Sequence, residues 1–560
     1  MKRLLASAAA LMLIASCGVK KDASPLEVFP ESAFVMCAMS DPAAVAATID
    51  GYIEQGVPIA GPGLLSKQIC EGTGVTSLDS ITAMTGIDVH GTVVFYVCGL
   101  NPQTIGGAVS VPDARKFWAK TAEWGADWTD VEAIGRTPVR TFTSGDMTVF
   151  VSTYRGLALF AGSRDEISSM IDRIEGRVPR GEVTIDPSSA WTRIDISMIG
   201  PMASGQLNMY RPQILSGMQS GMTGNPMEAT MQRMAGLYLD AASLFLLEAR
   251  DLEHTVTFGP ENMEVHSRLT FNPGSSLEGL LQPVEAFDHL SSLPAGGDIM
   301  AGRFSMPPAA VRAAMNAVMS ALGIEADQEY LDFSAEMAEN AAFVMYGDHP
   351  MHFMCIYDLP DGSDLEDAAD WVQYSLDFSR GIMQGMEGIT FSAPRDTVMD
   401  GATLLTYGMV MDQAAMMRSI ADSSLSSPSP IGLQAWLAIS GDMLLLEVAP
   451  EPDLIMQIAG GGFSGETMAG NACFAAAGTD KEMVFGVDLP AYMAMVGGMM
   501  GEGMGFDAGA LSAASAWMYN TIDLTDRGVV CVSTVDGGDL AKMIAILATS
   551  SGPGAFTTTQ

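Results

Sequence analysis

The chain has 560 residues, 48% hydrophobic and 17% charged, with a formal charge of −38. That length exceeds one ordinary core, so several domains are expected, and the apolar content excludes a disordered chain. The acidity argues against binding nucleic acid, whose phosphates call for clustered Lys and Arg, and against adhesion to anionic lipid through surface charge.

Lys2 and Arg3 precede an apolar run over residues 4–14, the layout of a secretory signal. The run is too short to span a membrane. It ends in Leu13-Ile14-Ala15-Ser16-Cys17, which resembles the lipobox of bacterial lipoproteins. The resemblance implies a signal peptide over residues 1–16, cleavage between Ser16 and Cys17, and acyl chains, palmitate among them, on Cys17. Each buried CH₂ contributes about 0.8 kcal/mol, so several chains form a stable anchor. Gly18 stands where inner-membrane lipoproteins carry Asp, which implies the outer membrane. Residues 17–27 read as a polar tether.

The folded part begins near Val28. A strand over 33–39 leads through Ser40-Asp41-Pro42 into a helix over 41–55, because Asp caps a helix start and Pro fits its first turn. Two further helices are expected at 64–71 and 78–85, and strands at 92–98 and 106–111. A helix to Trp124 follows, then strands at 139–143, 148–153 and 157–161 and a Ser163-capped helix over 166–174. A strand at 205–209 is expected to lead through Arg211-Pro212 into a long Met-rich helical region, 213–248. A hairpin over 254–258 and 263–271 and a helix over 277–287 close the first half.

The phrase Pro42-Ala-Ala-Val45 recurs as Pro308-Ala-Ala-Val311. Strands at 342–346 and 352–357, a helix over 363–378, strands at 404–410, 433–440 and 443–448, and a helix over 452–458 repeat the earlier succession. A strand at 483–487, a Met/Gly-rich helical stretch, a hairpin at Asp526-Arg527-Gly528 and a last helix from Gly538 complete it. The reading is an α+β fold in two tandem copies of a mixed sheet-and-helix unit, each with two subdomains. The copies occupy 28–288 and 289–552, with a disordered tail at 553–560.

Signals for chemistry are sparse. His349 and His352, with Asp348 beside them, sit at a strand start with no third ligand spaced to join them. Asp358, Asp361, Asp364 and Asp367 crowd around Gly362, but the spacing is not that of a calcium loop, and helix capping accounts for Asp and Ser there. His254 and His266 lie on facing strands of one hairpin. The Gly460-x-Gly462-x-x-Gly465 run follows a helix rather than a strand, so it reads as a loop. Neither metal nor cofactor is expected, and no catalytic residue is assigned. Six cysteines besides Cys17 read as packed thiols, with a Cys37–Cys98 bridge open if their strands are neighbours.

Methionine is the unusual feature, with 42 residues. Met218, Met222 and Met227 in the first copy, and Met495, Met499 and Met504 in the second, mark a candidate apolar-ligand surface, since flexible thioethers suit adaptable apolar grooves. Core filling explains many of the other methionines equally well.

The layout is similar to a loose group of bacterial envelope lipoproteins without an assigned activity. Pro30-Glu31-Ser32-Ala33 and Pro294-Ala295-Gly296 carry that likeness. It implies a lipid-anchored envelope protein, and the sequence reading adds a non-enzymatic binding or scaffold module for a partner protein or apolar ligand. The alternative is an envelope hydrolase using dispersed carboxylates, which requires acids of perturbed pKa converging on a cleft.

Overall fold

The computed structural model describes residues 22–58, 61–99, 101–124, 127–144, 147–219, 228–285, 293, 299–325, 327–346, 352–382, 389–392, 394–399, 402–411, 431–459, 467–468, 481–493 and 515–550. The chain divides into two compact units, residues 1–195 with 253–263, and residues 196–252 with 264–560.

In the first unit, β1 (Val35–Met39) turns into α1 (Pro42–Gly56) at Asp41. Asp41 takes a left-handed φ of 46°, and its carboxylate accepts from Ala44 N at 2.9 Å. Pro42 follows at a position whose N–H has no helical partner. α2 (Leu64–Thr73) and α3 (Leu78–Thr85) come next. Buried Asp50 of α1 anchors the start of α2 by accepting from Leu65 N and Ser66 N. The remaining elements are β2 (Val93–Val97), β3 (Ile105–Ser110), α4 (Ala114–Glu123), β4 (Thr129–Ile134), β5 (Thr137–Ser144), β6 (Met147–Tyr154), β7 (Leu157–Ala161), α5 (Arg164–Ile174) and β8 (Ser189–Asp195).

These strands pair antiparallel in the order β4-β5-β6-β7-β3-β2-β1-β8. One line of partners crosses the sheet through Asp130, Arg140, Val151, Phe160, Gly107, Phe95, Cys37 and Thr192. Alternation of side chains along each strand divides the packing between two faces. On one, Met36, Ala38, Val94, Tyr96, Leu157 and Leu159 pack with Ile167, Met170, Ile171 and Ile174 of α5. On the other, Val109, Val151 and Ala158 pack with Phe117 of α4.

Two long helices, α6 (Ile196–Gln219) and α7 (Glu228–Glu248), begin the second unit. The hairpin of β9 (Ala249–Phe258) and β10 (Asn262–Phe271) follows, with its tip, residues 253–263, counted in the first unit, then α8 (Ser276–Leu280). After β11 (Met300–Ser305) come α9 (Pro308–Leu322), α10 (Gln328–Met337), β12 (Asn340–Tyr346), β13 (His352–Asp358) and α11 (Leu365–Ile382). The last elements are β14 (Ile389–Phe391), β15 (Arg395–Met399), β16 (Ala402–Met411), β17 (Ile431–Ser440), β18 (Met443–Val448), α12 (Asp453–Ala459), β19 (Met483–Asp488), β20 (Trp517–Thr525), β21 (Gly528–Asp536) and α13 (Gly537–Ser550).

Here the order is β15-β16-β17-β18-β13-β12-β11-β19-β20-β21, with β14 also on β16. The line of partners runs through Asp396, Leu405, Leu437, Leu446, Cys355, Phe343, Gly302 and Phe485. The sequence order of strands along this line is that of the first unit. Phe95 and Gly107 are partners twelve residues apart, as are Phe343 and Cys355. Val151 and Phe160 are nine apart, as are Leu437 and Leu446.

The architecture is α+β, as the sequence indicates. Residues 205–209 are a correction: they are helical, inside α6, and the strand lies upstream at β8. Pro201 and Pro212 both sit inside α6, so proline did not end the helix. Residues 277–287 were expected to be helical, but α8 ends at Leu280. β1 and β2 are neighbours, yet Cys37 lies opposite the face of Met36 and Ala38 while Cys98 packs against their cluster. The two thiols point apart and form no bridge.

Candidate functional site

The candidate site is the helical hairpin of α6 and α7. Its interhelical seam is made of small and polar residues. At Gly200 a Cβ would stand 1.8 Å from Leu246 O, so the two backbones touch there and only glycine fits. One turn on, Ser204 Oγ meets Ser243 Oγ at 2.6 Å. Asn208 Nδ2 donates to the same Ser243 Oγ at 3.5 Å. Arg211 then grips Asp240 with its two terminal guanidinium nitrogens, one at 3.0 Å, and reaches Gly236 O. Positions 200, 204, 208 and 211 form one helical stripe. Its only charge, Arg211, is the only charged residue of α6, and it pairs with Asp240 at the solvent-facing edge of the seam.

With the seam polar, the apolar side chains point outward. On α6 these are Met198, Met202, Met209, Tyr210 and Ile214, with Met209 63% exposed. On α7 they are Tyr238, Leu244, Phe245 and Leu247, with Tyr238 69% exposed. A surface helix ordinarily buries its apolar stripe and offers charge to water. This hairpin does the reverse over much of its length. It is anchored along α7, which packs on α9, where Arg233 Nη1 caps the helix end by donating to Leu322 O at 2.7 Å.

The residues expected to form the apolar surface are placed as follows. Met218 lies in the last turn of α6, its side chain outside the described residues. Met222, Met227, Met495, Met499 and Met504 lie outside them altogether, as do Ser16 and Cys17, residues 460–466, Asp348 and His349. The exposed Met198, Met202 and Met209 were missed. Their i, i+4, i+11 spacing was the available signal, hidden by reading 205–209 as a strand.

Acids of perturbed pKa exist but are internally employed. Burial pushes Glu447 up, while Tyr346 Oη, Leu454 N and Ile455 N all donate to it, so it holds the start of α12. Burial also raises Glu482, which accepts from Leu524 N at 2.9 Å. In the first unit, Arg173 Nη2 donates to Glu166 Oε1 and to Tyr96 Oη, both at 2.6 Å, while Tyr96 Oη donates to Glu166. Burial raises the Tyr96 phenol, so it stays protonated. This trio ties α5 to β2. A groove of about 530 Å³ in the same unit is lined by Arg155, Arg180 and four glutamates. Arg180 pairs with Glu27 at 3.1 Å and Arg155 with Glu175 at 3.6 Å.

Histidine and aspartate clusters behave similarly. His90 bridges Asp41 at 3.0 Å and Asp79 at 3.1 Å, joining the starts of α1 and α3. Burial lowers the pKa of His352, whose ring packs edge-on against Tyr346. His266 Nε2 meets Glu264 at 3.2 Å. Asp364 accepts from Glu366 N and Asp367 N, and Asp367 accepts from Asp364 N, a reciprocal helix cap. No group of three or more potential ligands that could hold a metal occurs among the described residues.

No helix among the described residues is long and apolar enough to cross a membrane. No protein-family model matches the chain, and no curated protein matches it. Among solved structures it is similar to crystal form III of TP0453, at 10% identity and a TM-score of 0.25, over 47% of this chain and 89% of that one. Crystal form IV gives 10% identity and a TM-score of 0.24, over 48% and 88%. Likenesses this faint carry no argument about fold or role.

Proposed function

We propose that this chain is a lipid-anchored protein of the bacterial envelope, held by acylated Cys17 at the outer membrane, whose helical hairpin binds an apolar ligand or the apolar face of a partner protein without catalysis. The observation that carries this reading is the reversed hairpin, with a serine pair and a partly exposed ion pair between the helices and Met, Tyr, Leu and Phe on their outer sides. Exposed apolar surface of this extent marks an interaction site. Each such side chain gains about 1.5–3 kcal/mol on full burial, so covering several half-exposed ones suffices for specific binding. The hydrolase reading is the weaker one, because the raised carboxylates Glu447 and Glu482 are bonded to backbone N–H groups.

The matching strand orders and the equal twelve- and nine-residue partner separations support a second element of the proposal. The chain is one α+β unit used twice, with β1 to β3 answering β11 to β13 and β4 to β8 answering β15 to β19. The connection between β16 and β17, residues 412–430, is one place where the second copy is longer than the first.

The test is a surface variant, Met209→Ser with Tyr238→Ser and Leu247→Ser, compared with the parent in the mature protein. The expected result is an unchanged melting temperature and loss of an apolar fluorescent probe from the parent's saturable site, together with loss of any partner that in-cell cross-linking captures on the parent. Unchanged probe binding and cross-linking would sink the reading. Cys17→Ala should separately release the protein from membranes.

A further inference from the structure

Beyond the hairpin, a second site lies between α10 and α11. A cavity of about 240 Å³ opens there, lined by the rings of Tyr330, Phe333, Trp371 and Tyr374. It is smaller than the roughly 300–1,000 Å³ of sites for drug-sized ligands, which suits a headgroup. Tyr330 and Tyr374 stack with centroids 4.0 Å apart. Every polar ring atom is already engaged. Trp371 Nε1 donates to Ser334 Oγ at 2.9 Å, Tyr330 Oη meets Ser375 Oγ at 3.1 Å, and Tyr374 Oη contacts Asp327 N and Glu325 O. The rings are thereby fixed, the facing surfaces of Tyr330 and Tyr374 cover each other, and the ring surfaces that line the cavity are what remain for a ligand.

The rest of the lining is Asp327, Glu329, Asp367 and Asp370, with no Lys, Arg or His among the lining residues. Helix capping employs Asp327 and Asp367 through their contacts with backbone N–H groups. Glu329 and Asp370 have no such use in the cavity wall. The wall therefore offers carboxylate oxygens and π faces, but no free side-chain donor. An anion finds nothing to hold it, and a sugar finds acceptors only. A cation finds both charge and aromatic faces, and aromatic faces favour an organic cation with a weakly held water shell over a hydrated metal ion.

We propose that this cavity binds a small organic cation of the quaternary-ammonium class, with Trp371 and Tyr374 against the methyl groups and Asp370 and Glu329 supplying the counter-charge. The experiment is calorimetric titration of the full chain with choline chloride, beside its uncharged isostere, in which tert-butyl replaces trimethylammonium. Saturable choline binding is expected, with the isostere about tenfold weaker or worse. Asp370→Asn and Glu329→Gln, both exposed and structurally mild, should each weaken choline about two- to fivefold. Tyr374→Leu should weaken it further. Trp371→Ala should abolish it, and because that indole also bonds Ser334, its melting curve must be compared with the parent's. Equal affinity for choline and its isostere, or indifference to Asp370→Asn and Glu329→Gln together, overturns the proposal. Saturable binding of calcium chloride in place of choline overturns it in favour of an inorganic site.

Discussion

Gly200→Ala gives a direct test of the hairpin. A Cβ at Gly200 would lie 1.8 Å from Leu246 O, and real Cβ atoms do not come within 3.0 Å of such a neighbour, so the helices must part by about 1.2 Å there. Opening by that amount takes the Ser204–Ser243 contact from 2.6 Å to roughly 3.8 Å, beyond hydrogen-bond range. Overpacking costs about 1–3 kcal/mol and the lost hydrogen bond about 1 kcal/mol, while alanine's helix propensity returns about 1 kcal/mol. The net is a loss of about 1–3 kcal/mol for the hairpin. Gly205, five residues along the same helix, has nothing within 4 Å of its would-be Cβ. Gly205→Ala should therefore gain up to about 1 kcal/mol from propensity alone. Urea denaturation of both variants, with hydrogen exchange over residues 196–248, gives the comparison. If Gly200→Ala matches Gly205→Ala in stability and exchange, α6 and α7 are not in contact at Gly200, and the account of the seam is wrong.

Other expectations concern the first unit. Arg173 and Glu166 have side chains 6% and 17% exposed, and Tyr96 shares their contact. Arg173→Met should cost about 3 kcal/mol by stranding the carboxylate, and adding Glu166→Gln should recover part of it. A double variant no better than the single one would refute the pairing. The His90 pKa is raised, first by its hydrogen bond to Asp79 and then by that to Asp41. A raised folded value means the contribution is fully present below the unfolded pKa of about 6.5 and is lost as pH rises through the folded value. Melting temperature should fall over that window in the parent and stay flat in His90→Gln. A parent with no such fall would remove His90 as the clasp between α1 and α3.

The strands of both units were largely legible, because short apolar runs such as residues 93–97 and 443–448, bounded by turn residues, read as strands. The tight turn at Asp526-Arg527-Gly528 was legible from its turn residues, and in the structure Gly528 also stands where a Cβ would meet Leu269 O at 2.0 Å. β4 was not seen: its residues are mostly exposed, so no apolar period marks it. α6 was misread because Tyr210-Arg211-Pro212 looked like a break. Its persistence depends on Asp240, nearly thirty residues away on α7, and a contact that remote leaves no local trace. The outward apolar surface was hidden with it. The capping roles of Asp41 and Asp364 were plain in the sequence, while the gathering of Tyr330 with Trp371 and Tyr374 depends on how two helices pack.

A polar seam has a consequence for where the hairpin can exist. Most helical hairpins are held by oil and come apart when the surroundings turn oily. This one is held by a serine pair, an asparagine and an Arg–Asp clasp. Such bonds strengthen as the local dielectric falls. The same two helices can thus exchange water for hydrocarbon on their outer side and keep the fastening between them. The hairpin is a clip whose catch tightens as water is withdrawn from around it.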